Sequence, residues 1–278
     1  MATGAAADPI LDPYVRTWSL VADGDAVVTP TSRLLPVRWR HRPAMLKVAT
    51  VPEEASGGRL MAWWDGDGAA TVYAQAGEAI LLERALGTRS LAACARNGRD
   101  DEATRILCRA VRRLHAPRTG PLPELIPLDR WFEALGPGAN AQGGILTRAA
   151  ATARDLLAGQ RDVVVLHGDV HHDNFLDFGD RGWLAIDPKG LHGERCFDFA
   201  NIFCNPDLAD PSIPVATRPE RFEARLEIVC AETGLDKRRL LQWILAWAGL
   251  SAVWYLDDDM SADIDLGIAA LAAAALDR

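Results

Sequence analysis

The segment VVVLHGDVHHDNF, at residues 163–175, places six polar side chains directly after a short apolar run. They are three histidines, two aspartates and one asparagine, all of which can bind metals or take part in proton transfer. Two kinds of site would use them. One is a metal centre with histidine ligands. The other is a phosphoryl-transfer loop, in which one aspartate and the asparagine carry the chemistry.

A metal-dependent hydrolase would take its ligands from His167, Asp169, His171 and His172. On an extended chain alternate residues share a face, so the first three could point the same way. The pattern is similar to the HxHxDH motif of binuclear metallohydrolases, but aspartate stands where that motif has its second histidine. The other three histidines of the chain have no ligand-like spacing. The metal centre therefore stays open as an alternative.

The phosphoryl-transfer reading rests on the spacing of His167, Asp169 and Asn174, which fits the H-x-D-x-x-x-x-N catalytic loop. In such a loop the aspartate accepts the proton of an attacking hydroxyl, and the asparagine offers a neutral oxygen to magnesium. Asp187 follows at the end of the apolar run WLAI and would supply a second, hard ligand. His167 is expected to brace the loop.

A lysine lies in an apolar strand pattern upstream of this loop, in the stretch MLKVA. Burying Lys47 without a partner would be costly, so its position implies a counter-ion. We expect Glu54, on a helix that follows, to be that counter-ion and the pair to hold nucleotide phosphates. A lysine on an edge strand that reaches water is the alternative.

Composition limits the class of protein. The formal charge of −8 argues against a nucleic-acid-binding surface and suits a cationic small molecule. Five cysteines without a CxxC pair indicate free thiols in a reducing cytoplasm. The start of the chain lacks the pattern of a signal peptide. Residues 240–256 carry no charge, but they are too few for a membrane span and predict a buried helix. We expect a cytoplasmic monomer without a membrane or nucleic-acid partner.

The remaining elements predict an α+β protein. Short strand patterns dominate the first eighty residues, for example RTWSLVAD, SRLLPVRW and PAMLKVA, interrupted by one helix after residue 52. From residue 100 onward the apolar spacing is helical, and residues 117–144 look like a loop-bearing connection rich in proline and glycine.

Read together, HGDVHHDN, IDPKGLHGERCFDFANIF and PAMLKVA resemble the aminoglycoside phosphotransferases of protein-kinase-like fold. They look most similar to the streptomycin 6-phosphotransferase branch, the aminoglycoside/hydroxyurea resistance kinases. The resemblance implies a bilobal fold, with a small β-rich nucleotide-binding lobe over residues 1–84 and a larger helical lobe over residues 85–278. It also implies ATP and Mg²⁺ as cofactors, and transfer of the γ-phosphate to the 6-hydroxyl of streptomycin, with antibiotic resistance as the outcome.

The resemblance assigns roles to individual residues. Asp169 would be the catalytic base. Magnesium would be bound by Asn174 and Asp187, and the nucleotide phosphates by Lys47, held by Glu54. Glu83 and Ala85 would meet the adenine edge, and Thr31 and Ser32 would lie in the phosphate-covering loop. The sequence departs from protein kinases in that loop, which has no G-x-G-x-x-G, and in having Asp187-Pro188 for Asp-Phe-Gly.

The acceptor site is expected to contain carboxylates, because streptomycin carries guanidinium groups that pair with them. The candidates are Glu194, Asp207, Trp254, Asp257 and Asp258. Another small hydroxylated molecule, hydroxyurea included, remains an alternative substrate.

Overall fold

The computed structural model describes residues 8–278, apart from the side chains of residues 52 and 53. An antiparallel sheet lies within residues 21–83, and a larger, mainly helical region follows from residue 91. The predicted α+β architecture, with a small β-rich region followed by a larger helical one, is confirmed. The elements of the first region are α1 (Asp12–Thr17), β1 (Val21–Ala22), β2 (Val27–Val28), β3 (Ser32–Trp39), β4 (Arg42–Ala49), α2 (Pro52–Trp64), β5 (Val72–Ala76) and β6 (Ala79–Glu83).

Lys47 lies in the interior of the sheet. The strand order is β1-β3-β4-β6-β5, and β2 also pairs with β3. Lys47 on β4 stands opposite Leu34 of β3 and Ile80 of β6, and only 5% of it is exposed. The edge-strand alternative is therefore wrong. A lysine in a central strand needs a partner within the protein.

The stretch RTWSLVAD, predicted as one strand, divides between two elements. Its first residues complete α1, and only Val21 and Ala22 pair with β3. The helix has a proline and Asp12 in its first turn, which both favour a helix start. These local signals outweigh the β-propensity of the residues that follow.

The second region contains α3 (Leu91–Cys94), α4 (Asp100–Leu114), β7 (Ile126–Pro127), α5 (Leu128–Trp131), α6 (Leu135–Gln142), α7 (Ile145–Ala158), β8 (Val163–Leu166), β9 (Phe175–Asp177), β10 (Trp183–Ala185), β11 (Leu191–Glu194), α8 (Pro219–Thr233), α9 (Lys237–Asp257) and α10 (Asp263–Leu276). Helix α9 is buried along most of its length, as the charge-free stretch predicted. Within residues 8–278, every helix is too short or too polar to span a bilayer.

The predicted loop at residues 117–144 contains two helices, α5 and α6. One of the glycines that indicated a loop has another role in α6. A Cβ atom at Gly138 would clash with the side chain of Val253. Glycine here lets α6 pack closely on α9, a contact that no local pattern in the sequence reveals.

Helix α2 joins the two regions. Its residues Leu60, Met61 and Trp64 are buried in the same hydrophobic core as the helices of the second region. A separate, smaller core lies on the other face of the sheet, around Leu46 and Leu81. Since α2 also carries Glu54, the position of that carboxylate depends on both regions.

Candidate active site

Two cavities meet at Asp169. One is polar, with a volume of about 190 Å³, and lies between the sheet and the loop that follows β8. The other, of about 440 Å³, lies within the helical region and has several aromatic side chains in its lining. Asp169 and Lys189 line both. The polar cavity brings together all the residues predicted to hold phosphates or magnesium, which are Thr31, Ser32, Lys47, Glu54, Asn174 and Asp187. The predicted adenine segment does not line it.

A chain of ion pairs crosses the polar cavity. Lys47 Nζ lies 2.6 Å from Glu54 Oε2 and 2.7 Å from Asp187 Oδ1. Lys189 Nζ donates to the other oxygen of Glu54 at 2.9 Å. Burial tends to raise the pKa of Glu54, but Lys47 and Lys189 outweigh it and hold that pKa below its usual value. Glu54 is therefore an ionised bridge between two lysines.

Lys189 is a site residue that the sequence analysis missed. Only three lysines occur in the whole sequence, and two of them meet at Glu54. Its Nζ is also 3.9 Å from Asp169 Oδ2. Burial tends to lower the pKa of Lys189, but Asp169 and Glu54 outweigh this and raise it. The sequence feature that could have identified Lys189 is its position two residues after Asp187, in IDPKG.

The hairpin of β9 and β10 places the two predicted magnesium ligands side by side. Phe175 pairs with Ala185, so Asn174, before β9, and Asp187, after β10, emerge at the same end. Ile186 N–H donates to the carbonyl of Asn174 at 2.9 Å. Asp187 has φ of 55°, a strained conformation for a residue other than glycine. Such strain is typical of functional sites held by their surroundings.

The donor set of this cavity fits a phosphate chain with a hard cation. Asn174 Nδ2 donates to the backbone oxygen of Asp169 at 2.9 Å, which uses the amide nitrogen and leaves the oxygen as the available ligand. Asp187 adds a carboxylate, and oxygen ligands are those that magnesium prefers. Ser32 is 2% exposed, and its hydroxyl has no partner among the described residues. An orphaned hydroxyl facing this cavity is suited to a phosphate oxygen.

Asp169 is fixed on both of its oxygens. Asn201 Nδ2 donates to Oδ1 at 2.9 Å, and Asn174 Nδ2 approaches Oδ2 at 3.3 Å. His171 Nε2 lies 3.8 Å from Oδ2. Asn201 is a second residue that the sequence analysis did not single out, although it lies in the quoted stretch FDFAN.

Asp198 holds the first residues of the loop in place through its carboxylate. Its carboxylate accepts hydrogen bonds from the backbone N–H of His167 at 2.8 Å and of Gly168 at 2.7 Å. His115 Nε2 lies 2.7 Å from the same carboxylate. Gly168 has φ of 85°, a conformation that favours glycine, and this lets the chain turn directly after β8.

The histidines of the loop do not form a metal centre. His167 is buried between Trp64 and Phe175, with ring centroids 6.2 and 5.5 Å away, and its Nε2 lies 2.8 Å from the carbonyl of Ile186. Burial lowers the pKa of His167, and that of buried His172 falls well below its usual value. Over residues 8–278 no three His, Cys, Asp or Glu side chains are arranged to hold a metal ion. The ligand set of the hydrolase alternative is therefore not assembled.

The predicted adenine segment lies at the link between the two regions, outside both cavities. The Glu83 carboxylate accepts a hydrogen bond from Thr71 Oγ1 at 2.9 Å and pairs with Arg181. Ala85 follows in an irregular stretch over residues 84–90. That stretch is fastened to the hairpin by Arg89, which pairs with Asp177 at 2.7 Å and lowers the pKa of that carboxylate.

Of the predicted acceptor residues, only Trp254 lines the larger cavity. Glu194 is buried and paired with Arg239 at 2.6 Å. Asp207 is buried and accepts hydrogen bonds from the backbone of Val215 and Ala216 at 2.9 and 3.1 Å. These two carboxylates hold the fold together, so we exclude them from the acceptor site.

Asp257 and Asp258 are exposed at the end of α9, outside the cavity. They therefore do not line the proposed acceptor cavity. The aromatic side chains of the cavity are those of Trp131, Trp247, Trp254 and Tyr255.

The fold and this arrangement of ion pairs, loop and hairpin define a small-molecule phosphotransferase of protein-kinase-like architecture. The chain belongs to the aminoglycoside/hydroxyurea antibiotic resistance kinase family, whose model matches residues 17–259. It is similar in fold to aminoglycoside phosphotransferase APH(4)-Ia, solved with AMP-PNP and hygromycin B. The TM-score is 0.67 at 14% identity, covering 96% of this chain and 99% of that one.

Two relatives differ in the position that they phosphorylate. A streptomycin 3″-kinase of Klebsiella pneumoniae is 56% identical over 95% of this chain and 100% of its own length. A streptomycin 6-kinase of Streptomyces griseus is 29% identical over 89% of this chain and 82% of its own. Membership of the resistance-kinase family is thus established, whereas the 6-position expected from the sequence is not confirmed.

Proposed function

We propose that this protein transfers the γ-phosphate of ATP to a hydroxyl group of streptomycin and thereby inactivates the antibiotic. The observation that carries the proposal is the position of Asp169, which lines two cavities. One is the polar cavity that contains Lys47 and Lys189, and the other is the larger cavity with aromatic side chains. A phosphate donor and a hydroxyl acceptor bound on the two sides would meet at this carboxylate. The similarity to streptomycin kinases supports the choice of substrate.

The polar cavity is proposed to bind ATP with Mg²⁺. Asn174 and Asp187 would hold the metal, which when bound would neutralise charge on the phosphates. Lys47, held in place by Glu54, would bind the phosphate chain, and Ser32 would donate its hydroxyl to it. We retain the stretch around Glu83 and Ala85 as the proposed adenine contact.

Asp169 would orient the acceptor hydroxyl and accept its proton as the new bond to phosphorus forms. Asn201 and Asn174 hold the carboxylate in one orientation, which reduces the reorganisation that the reaction requires. Lys189 lies between the two cavities and would favour the negative charge that develops on the transferred group. Positioning and charge stabilisation would then provide most of the rate enhancement.

The relative with 56% identity favours the 3″-hydroxyl as the acceptor, in place of the 6-hydroxyl expected from the sequence. These hydroxyls belong to different rings of streptomycin, so the substrate would have to enter the cavity in different orientations. We therefore propose the 3″-position, and retain the 6-position as the competing outcome.

The test is an ATP-consumption assay over a panel of aminoglycosides, with hydroxyurea included, followed by phosphorus NMR of the product. We expect turnover with streptomycin and a phosphate on the 3″-oxygen. Asp169→Ala should lower turnover by about two orders of magnitude or more while nucleotide still binds.

The matched control is Asp173→Ala, because Asp173 is an exposed carboxylate in the same loop. It should keep near-normal turnover. Absence of streptomycin phosphorylation, or an Asp169→Ala variant as active as the parent, would refute the proposed function. Selective turnover of hydroxyurea would favour the alternative substrate, although a cavity of about 440 Å³ is large for so small a molecule.

A further inference from the structure

Two asparagines form a chain of hydrogen bonds that ends at the proposed catalytic carboxylate. Asn205 Nδ2 donates to Asn201 Oδ1 at 2.8 Å, and Asn201 Nδ2 donates to Asp169 Oδ1 at 2.9 Å. All three residues line the larger cavity. Both polar atoms of the Asn201 side chain are therefore engaged within the protein, and Asn205 is the outer member of the chain.

The orientation of both amides follows from their partners. An ionised carboxylate only accepts hydrogen bonds, so Asn201 must direct its NH₂ group at Asp169 and its oxygen at Asn205. Asn205 must then direct its own NH₂ group at Asn201. The backbone carbonyl of Asn201 lies 3.2 Å from the same Nδ2 atom of Asn205. Because a carbonyl is also an acceptor only, it requires the same orientation of the Asn205 amide.

This orientation leaves the side-chain oxygen of Asn205 as an available acceptor. Within residues 8–278 no group donates to Oδ1 of Asn205, and that oxygen is not fully enclosed by protein. The open side of Asn205 is the cavity that it lines, since only 4% of the residue is exposed. A neutral amide oxygen accepts hydrogen bonds from hydroxyl, ammonium and guanidinium groups.

The backbone of Asn205 is held by a fully buried arginine. Arg225 Nη1 donates to the carbonyl of Asn205 at 2.6 Å and to that of Ile202 at 2.7 Å. Arg225 is itself paired with Asp100 at 2.6 Å. The oxygen of Asn205 is thus fixed in place before a substrate arrives, which reduces the loss of conformational freedom on binding.

We infer that Asn205 has two roles in the reaction. Its NH₂ group holds Asn201, and through it Asp169, in the orientation that the acceptor hydroxyl requires. Its oxygen accepts a hydrogen bond from a cationic nitrogen of the acceptor. The inference rests on the proposed function and deepens it. Asp169 is the one carboxylate among the residues that line the larger cavity, so neutral oxygens must take up other N–H groups of a polycationic substrate.

The test is a double-mutant cycle in the full chain, with Asn205→Ala, Asn201→Ala and the two combined. It measures kcat at saturating MgATP and streptomycin, and the dissociation constant of streptomycin by calorimetry without nucleotide. Asn205→Ala should lower kcat about threefold and weaken streptomycin binding about tenfold, because it removes both the donor and the acceptor.

The two losses should behave differently in the Asn201→Ala background. Adding Asn205→Ala there should leave kcat unchanged, because its effect on Asp169 passes through Asn201. Binding should still weaken about tenfold, since the backbone carbonyl of residue 201 continues to orient the Asn205 amide. A residue with a purely structural role would lower kcat by the same factor in both backgrounds.

Asn205→Asp separates the two roles a second time, because it keeps an oxygen and nearly the same shape but loses the NH₂ donor. At pH 8 it should bind streptomycin at least as tightly as the parent and still have a lowered kcat. The matched control is Asn140→Ala, an exposed asparagine of α6, which should equal the parent in both measurements.

Equal losses of kcat in the two backgrounds, or undiminished streptomycin binding by Asn205→Ala, would overturn the inference alone. Absence of streptomycin binding and turnover in the parent protein would instead refute the proposed function.

Discussion

At the scale of single residues, the proposed catalytic carboxylate is defined by the groups around it. Asp169 receives hydrogen bonds from two asparagines that come from different segments, the loop itself and the turn at residues 201–204. That turn is held in place in its own right: Arg225 donates to the carbonyls of Ile202 and Asn205 at 2.7 and 2.6 Å. The orientation of Asp169 therefore depends on residues that never touch a substrate hydroxyl.

Asn201 offers a test of this dependence. Asn201→Ala should lower kcat about tenfold, because the carboxylate loses one of the bonds that hold it towards the acceptor. KM for ATP should change little, since Asn201 does not line the polar cavity. Steady-state kinetics measure both quantities, with the exposed Asn140→Ala as control. A change in KM for ATP with unchanged kcat would contradict the positioning role.

At this scale the sequence predicted site residues that lie close along the chain better than the partners of carboxylates that lie far from them. The loop residues and Asp187 were found because their spacing is set by one turn and one hairpin. Glu194 and Asp207 were chosen for their charge alone, and their true partners, Arg239 and the backbone at residues 215–217, could not be read from spacing. The type of a residue does not reveal whether a distant part of the chain has already neutralised it.

At the scale of elements, the ends of strands, their pairing registers and the placement of one helix determine where the site residues lie. The hairpin of β9 and β10 aligns Asn174 with Asp187, β4 carries Lys47 through the middle of the sheet, and α2 brings Glu54 to it. Helix α10 buries a carboxylate, that of Asp265 in its first turn, and burial raises its pKa, at a cost to the stability of the protein.

That cost should depend on pH. The folded-state pKa of Asp265, about 6, lies above the value of 3.8 for a solvated aspartate, so the folded protein takes up the proton first. Its contribution to stability is therefore unfavourable above pH 6 and is relieved as the pH falls from about 6 towards 4.

Between pH 7.5 and pH 4.5, the difference in free energy of unfolding between the parent and Asp265→Asn should shift by about 2 kcal/mol in favour of the parent. Urea denaturation at a series of pH values measures this difference. A constant difference for Asp265→Asn would show that its pKa is not raised.

At the scale of the whole molecule, the polar cavity exists only where the sheet and the helical region meet. Lys47 belongs to the sheet and Asp187 to the hairpin of the second region, yet their side chains are 2.7 Å apart. Helix α2 contributes to the core of the second region and to the ion pairs of the cavity. Nucleotide bound there would contact both regions and should stabilise the molecule as a unit.

We expect MgATP at about a hundred times its dissociation constant to raise Tm by roughly 5–10 °C. Lys47→Met should reduce that rise to less than half at the same nucleotide concentration, because a charge-assisted contact to the phosphates is lost. Lys237→Met removes the one lysine that lies outside the site and should leave the rise unchanged. An undiminished rise in Lys47→Met would place the phosphates elsewhere.

The sequence by itself determined the fold class, the loop with Asp169 and Asn174, and the pairing of Lys47 with Glu54, because each depends on local pattern or on a buried charge that needs a partner. Only the tertiary structure decided which groups line the proposed acceptor cavity. Lys189, Asn201 and the aromatic side chains of the cavity come together from segments far apart in the chain. The burial of Asp265 likewise depends on the packing of α10 on α9. Long-range packing selects these neighbours, and residue type and spacing along the chain carry no record of it.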